Sequence, residues 1–168
     1  MIFMVHTVAD GFPYYIELTE GKDIKELFTS NDTFDLLHCL TEEQGNISYA
    51  PGKWTIKQLV GHITDHERVM AYRAFRFSRK DETVLSGYDQ EVLVNGSRFT
   101  ELPLSFLISD FEKVRTASNS FIESLSPQQL QLKGTAWIFT LTVEEFLRAT
   151  IGHELHHVNI IKERYLKL

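Results

Sequence analysis

Apolar residues recur at three- and four-residue steps through four long stretches of the chain, the spacing that puts an unbroken apolar stripe on one face of an α-helix. The first stretch starts at Asp23, runs through Ile24, Leu27, Phe28, Phe34, Leu37 and Leu40, and ends near Thr41 to Gln44, where Gly45 and Asn46 supply a stop. Thr55 and Gln58 can form a capping box for the second, which carries Ile56, Leu59, Val60, Ile63, Val69, Met70, Ala74 and Phe77 and reaches about Ser78. Pro103, suited to a first helical position, opens the third through Leu104, Leu107, Ile108, Phe111, Val114, Ala117, Phe121, Ile122 and Leu125. Thr142 and Glu145 form a second capping box before the fourth, with Val143, Phe146, Leu147, Thr150, Ile151, Leu155, Val158, Ile161 and Tyr165. Four long helices in 168 residues predict an all-α four-helix bundle, with residues 1–168 as one domain, because two cores would each be too small.

The remaining segments read as connections. Val5 to Glu20 has no sustained period, and Pro13 lacks the N–H of a regular helix, so this stretch is expected to be an arm packed on the bundle. Tyr88 to Val94 reads as a short connecting helix, Ser126-Pro127 as the start of a one-turn successor to the third helix, and Gly134 to Thr140 as an extended link.

Composition narrows the function. Hydrophobic residues make up 43% and charged residues 24%, which suits a packed globular chain and neither a disordered nor a membrane one. No apolar run approaches the roughly 18–20 residues needed to cross a bilayer. Seventeen Lys and Arg against 23 Asp and Glu leave a net charge of −6, which argues against nucleic acid as a partner. The start lacks the basic region of a secretory signal and carries Asp10, so a cytoplasmic protein is expected. A single cysteine, Cys39, excludes an internal disulfide; set among Leu36, Leu37 and Leu40, it reads as a small buried hydrophobe.

Histidine is the chemically distinctive residue. Of seven, five fall into two clusters, His62 with His66 and His153 with His156 and His157. Residues i and i+4 share a helix face about 5–6 Å apart at Cβ, so His153 and His157 can reach one metal ion. His62 lies on or beside the core-facing stripe of the second helix. Three imidazoles converging from two helices are expensive to bury unless neutral and satisfied, and a metal satisfies them. His66 makes a four-histidine site possible; three ligands are preferred, since a catalytic metal needs an open position. His156 points about 100° from His157 and reads as a surface or supporting residue. Asp65 is placed to orient His62 or His66, or to pair with Arg68; Glu154 is placed to act as a base beside the metal, or to remain solvated. His153 to His157 matches H-E-x-x-H literally. After His157 only Glu163 offers a conceivable third ligand, and no strand-rich half precedes the motif, so the peptidase reading is set aside. The series Arg68, Arg73, Arg76, Arg79 and Lys80 can attract an anionic substrate or complement the helix dipole. Trp54 reads as a core anchor.

The run Tyr49-Ala-Pro-Gly-Lys-Trp-Thr-Ile-Lys-Gln-Leu-Val-Gly-His62-Ile-Thr-Asp65-His-Glu67-Arg68-Val, with Tyr72-Arg-Ala-Phe-Arg76-Phe and Ile151-Gly-His153-Glu-Leu-His-His157-Val-Asn-Ile-Ile, resembles the DinB-like superfamily. The resemblance extends over nearly the whole chain, including Tyr14-Tyr15 and Pro127-Gln-Gln-Leu. It implies a four-helix bundle of unusual connection order, a homodimer, and a divalent metal, nickel or zinc, held by His62, His153 and His157; the position of His66 is not a ligand in the family pattern. It also implies a metal-dependent hydrolase or a transferase that joins a low-molecular-weight thiol to a small-molecule substrate. The competing expectation is a binding or interaction protein with a structural histidine site. With Cys39 on the first helix, any thiol chemistry would use a thiol brought from solution.

Overall fold

The structure, a computed structural model, describes residues 5–167; residues 1–4, the start of the segment read as lacking a secretory signal, and residue 168 lie outside that description. Three of the four long helices form where their caps predict. Helix α5 (Ile56–Ser78) begins at a capping box between Thr55 and Gln58, α7 (Leu104–Glu123) follows Pro103, and α9 (Val143–Ile160) begins at the box between Thr142 and Glu145. Pro103 is the N-cap of α7, one position before the first helical residue. A π-helical turn, Ile161–Leu166, continues α9.

The fourth side of the bundle departs from the continuous helix expected between Asp23 and Gln44. It is broken into α2 (Ile24–Thr29), α3 (Asp32–His38) and α4 (Glu42–Gly45). Ser30, Asn31 and Asp32 cause the first break, because short polar side chains compete for backbone groups and favour caps over helix interiors. Ser30 is extended, and its Oγ accepts from the Asp32 amide at 3.2 Å. The apolar pattern survives the break, since Ile24, Leu27, Phe28, Phe34 and Leu37 are all buried. Cys39 is exposed rather than buried: it caps the end of α3, where Leu37 has taken the inward position.

The N-terminal arm is also more regular than expected. Helix α1 (Phe12–Glu17) forms with Pro13 in its first turn, where the missing N–H has no intrahelical partner to lose. The connecting helix α6 spans Gln90–Asn95, and α8 spans Pro127–Leu130. The expected extended link is an antiparallel hairpin, β1 (Lys133–Ala136) and β2 (Phe139–Thr142), with Ala136 opposite Phe139 and Trp137 in the left-handed region at φ 55°. No helix among the described residues is long and apolar enough to cross a membrane.

Helix α5 lies against both α7 and α9 and is buried on most of its circumference. The apolar core divides in two along it. One part joins Met70, Ala74 and Phe77 to Phe28, Phe146 and Leu147; the other joins Ile56, Leu59, Val60 and Ile63 to Phe34, Leu107, Phe111 and Ile161. Between them lie the buried polar residues His62, His66, Glu67, Arg115, Ser118, His153 and Glu154. One part of this layer is an ion triad. Arg115 donates through Nε to both carboxylate oxygens of Glu67, at 3.1 and 3.2 Å, and through Nη2 to Glu67 at 2.8 Å and to Glu154. Its guanidinium lies 5.2 Å from the ring centres of Phe28 and Phe111 and 5.5 Å from that of Phe34. Removing the shared cation leaves two buried carboxylates facing each other. Arg115→Met is therefore expected to lower unfolding free energy by about 3–5 kcal/mol in urea titration, and adding Glu67→Gln and Glu154→Gln to restore part of it. A loss confined to the range of surface substitutions would contradict this description.

Helix α1 packs on α9 at a point where no side chain fits. A Cβ at Gly152 would lie 1.8 Å from the carbonyl oxygen of Tyr15, so the helices meet only because residue 152 has none. Gly152→Ala is expected to destabilise the fold by about 1–3 kcal/mol or more, through displacement of α1 from α9. Near-normal stability in the same urea titration would show that the contact is looser than described.

Candidate metal centre

The i, i+4 spacing on α9 places His153 and His157 on the face that meets α5, and the α5 stripe turns His62 toward them. The Nε2 atoms of His62 and His153 are 2.9 Å apart, and those of His157 and His153 are 3.1 Å apart. One donor atom from each of the three lies within 4.8 Å of the others, and among the described residues this is the one such group of three or more His, Cys, Asp or Glu. Hydrogen bonding alone serves this geometry poorly. A ring nitrogen carries either one proton or one lone pair, so Nε2 of His153 can satisfy only one of its two neighbours. Two nitrogens about 90° apart around an ion at about 2.1 Å lie about 3.0 Å from each other, close to both observed separations. The three residues therefore fit a divalent ion.

Burial keeps the imidazoles in the form a metal requires. His62 is 2% exposed and His153 3% exposed. Desolvation pushes the pKa of His62 down to about 4, and desolvation with repulsion from neighbouring histidines holds His153 and His157 well below the ordinary value. All three are neutral at neutral pH. Nδ1 of His153 and Nδ1 of His157 are buried without a hydrogen-bond partner, so ring orientation is set by packing. The Tyr15 ring meets His153 edge-on at 5.2 Å, and the Trp54 ring lies 4.9 Å from His62. Trp54 thus anchors the site as well as the core, with its carbonyl oxygen accepting from the Tyr165 hydroxyl at 2.6 Å.

His66 is buried beside the group but oriented differently. Its ring stacks on His153 at 3.7 Å with 24° between planes, so the in-plane lone pairs of the two rings run side by side instead of converging. Its Nδ1 shares a 2.6 Å hydrogen bond with the Tyr88 hydroxyl, and its Nε2 has no partner. His156 turns outward from the group, with Nδ1 3.2 Å from the Tyr14 hydroxyl.

The two carboxylates singled out for chemistry are both engaged elsewhere. Asp65 accepts from Arg68 at 2.8 Å, and the same guanidinium also reaches Asp110. Glu154 belongs to the Arg115 triad, where burial raises its carboxyl pKa against the opposing pull of Arg115. Neither hydrogen-bonds to an imidazole among the described residues. Cys39 is not in the group either.

A cavity of about 720 Å³ opens beside the imidazoles, with His66 and His153 in its wall together with Phe12, Tyr15, Tyr88 and Trp137. Sequence reasoning singled out neither Tyr88 nor Trp137. Tyr88 begins a short connecting segment and Trp137 sits in the link read as extended, and only the tertiary fold brings Tyr88 onto His66 and Trp137 to the cavity rim.

The comparisons with known proteins agree with this architecture. Residues 28–161 match the profile of the DinB superfamily. The chain is 27% identical over 153 residues to a protein of Oceanobacillus iheyensis that bears the name "Putative metal-dependent hydrolase OB0413", with 84% of each chain covered. Among solved structures it is similar to YfiT from Bacillus subtilis, described as "a probable metal-dependent hydrolase with an unusual four-helix bundle topology", with a TM-score of 0.74, 16% identity, and 99% of this chain and 93% of that one covered. It is also similar in fold to the mycothiol-dependent maleylpyruvate isomerase, with a TM-score of 0.63, 17% identity, and 92% of this chain and 62% of that one covered. With the match spanning most of the described residues and a four-helix fold around the histidine group, the chain belongs to the DinB superfamily.

Proposed function

We propose that the protein is a metal-dependent enzyme in which His62, His153 and His157 hold a divalent ion, nickel or zinc, and that it acts on a small-molecule substrate as a hydrolase or a thiol S-transferase. The convergence of three neutral Nε2 atoms, with His153 in the wall of an open cavity, carries this reading. A divalent ion held by neutral imidazoles supplies Lewis acidity and lowers the pKa of water or a thiol toward neutrality. The chain's own residues do the rest. Burial keeps the three rings unprotonated, Tyr15 and Trp54 fix their orientation, and α1 closes over α9 at Gly152 to bring Tyr15 there. His66 leaves the group at three ligands, so one side remains for a reactant.

The relatives named as metal-dependent hydrolases favour water as nucleophile. The fold shared with a mycothiol-dependent enzyme, and a cavity with room for two reactants, keep a thiol as the second reading. Cys39 lies outside the metal group, so that thiol would come from solution. Glu154 and Asp65 act in this proposal as positioning groups, Glu154 through the Arg115 triad and Asp65 by holding Arg68, whose pairing with Asp110 ties α5 to α7.

Metal analysis after mild purification is expected to give about one nickel or zinc per chain, and His153→Ala to abolish stoichiometric binding while helix content by circular dichroism stays largely intact. Retention of metal by that variant would defeat the three-ligand assignment. A screen of ester and amide hydrolysis against conjugation of a low-molecular-weight thiol to halogenated and epoxide electrophiles separates the two reactions. Acidification tests the neutral state of the rings. The folded-state pKa of His62, about 4, lies below the unfolded value near 6.5. Between those values the unfolded chain binds more protons, so stability present above about pH 6.5 is lost as pH falls. Metal-free protein is expected to lose about 1.4 kcal/mol per pH unit for each histidine held neutral. A stability profile flat from pH 7 to about pH 5 would contradict burial of neutral imidazoles.

A further inference from the structure

Two arginines are buried in this fold, and they are treated in opposite ways. Arg115 and Arg73 are each 4% exposed. Arg115 has two carboxylates on it, whereas Arg73 has none within ion-pair distance among the described residues. The other arginines without a carboxylate partner among the described residues, Arg79 and Arg164, are exposed. What holds Arg73 is weaker. Its Nη2 donates to the Ser86 carbonyl oxygen at 2.8 Å, its Nη1 lies 3.5 Å from the Met70 sulfur, and the guanidinium sits 5.6 Å from the centre of the Tyr88 ring. Three of the five N–H donors remain uncommitted. Keeping a charge this buried without a counter-charge is unfavourable, so an anionic partner entering from the cavity would restore what burial removes.

Arg73 lines the same cavity as His66 and His153. On α5 it stands seven residues beyond His66, two helical turns or about 10 Å along the axis. The walls between are aromatic, with Tyr15, Tyr88, Phe12 and Trp137. Asp89 also lines the cavity, and its Oδ1 accepts from the amides of Glu91 and Val92 at the start of α6. With Asp89 nearby, a single guanidinium suits one negative charge better than two, and its planar fork matches a carboxylate.

We propose that Arg73 binds a substrate carboxylate, so that the protein acts on monoanionic organic acids with a flat apolar body, the acid end on Arg73 and the reacting end near His153. This rests on the reading of the histidine group as the reactive centre. It places the acid remote from the bond that reacts, and makes Arg73 a binding and specificity residue.

The test compares phenylpropionate, its neutral amide and phenylethylphosphonate by calorimetric titration of the protein as purified and after chelator treatment, repeated with Arg73→Gln and Arg73→Lys. The acid is expected to bind at least about tenfold more tightly than the amide, with or without metal. Arg73→Gln is expected to abolish that preference, and Arg73→Lys, which keeps the charge but loses the fork, to keep part of it. Equal affinity for acid and amide in the unmodified protein, or no binding of the acid up to millimolar concentration, would overturn the proposal without recourse to a variant. So would a preference that survives Arg73→Gln, or one that disappears on chelation, because the carboxylate would then sit on the metal. Tighter binding of the phosphonate would overturn the assignment to carboxylates. Since the chelated protein gives the same readout, failure of the metal assignment and failure of the Arg73 assignment are separable.

Discussion

Three imidazole nitrogens meet in the middle of a helix bundle, and the rest of the architecture follows from the need to hold them there. Such a group is unfavourable by itself. Each ring is taken out of water, each is kept neutral by that burial, and the central Nε2 of His153 cannot hydrogen-bond to both neighbours. Packing must hold what hydrogen bonds do not. The two apolar clusters on either side fix α5 against α7 and α9, while aromatic rings from α1 and from the turn before α5 close on the histidines. In the proposed reading a cation at the meeting point would turn an unfavourable cluster into a binding site, and the packing would serve to preorganise its ligands.

The same layer contains a second buried polar group with its charges already matched. Consecutive residues of α9 serve the two: His153 faces α5 and the cavity, and Glu154, about 100° around the helix, faces Arg115 and Glu67. The triad is complete within the protein, whereas in the proposed reading the histidine group is completed by a metal and Arg73 by a substrate anion. That contrast separates polar residues that hold the bundle together from polar residues kept for ligands. Burial alone does not make the distinction, since Glu67, Arg115 and Glu154 are as inaccessible as His62, His153 and Arg73.

Much of this was legible in the sequence because it depends on local spacing. The capping boxes at Thr55 and Thr142 fix where α5 and α9 begin, and the interval between His153 and His157 puts both on one face. His62 could be joined to them because its apolar neighbours assign it to the core side of α5. Harder to read was whatever depends on competition between local and tertiary terms. Ser30 to Asp32 break a helix whose apolar pattern runs through the break, and Cys39 moves outward because a helix ends there. Pro13 was read as a helix breaker, yet a helix starts around it because its first turn has no hydrogen bond to lose. Glu154 illustrates the limit most clearly. Its place within H-E-x-x-H suggests a base, but its partner lies 39 residues earlier on α7, and no local spacing reveals that pairing.

The central claim concerns how many imidazoles surround the metal and what is left for a reactant. X-ray absorption spectroscopy of nickel- or zinc-loaded protein measures this directly. Three imidazole nitrogens with oxygen donors completing the shell, and exchange of one oxygen for sulfur on adding a low-molecular-weight thiol if the transferase reading holds, are the expected results. Four imidazoles in a closed shell, which would bring in His66, or fewer than three, would contradict the account.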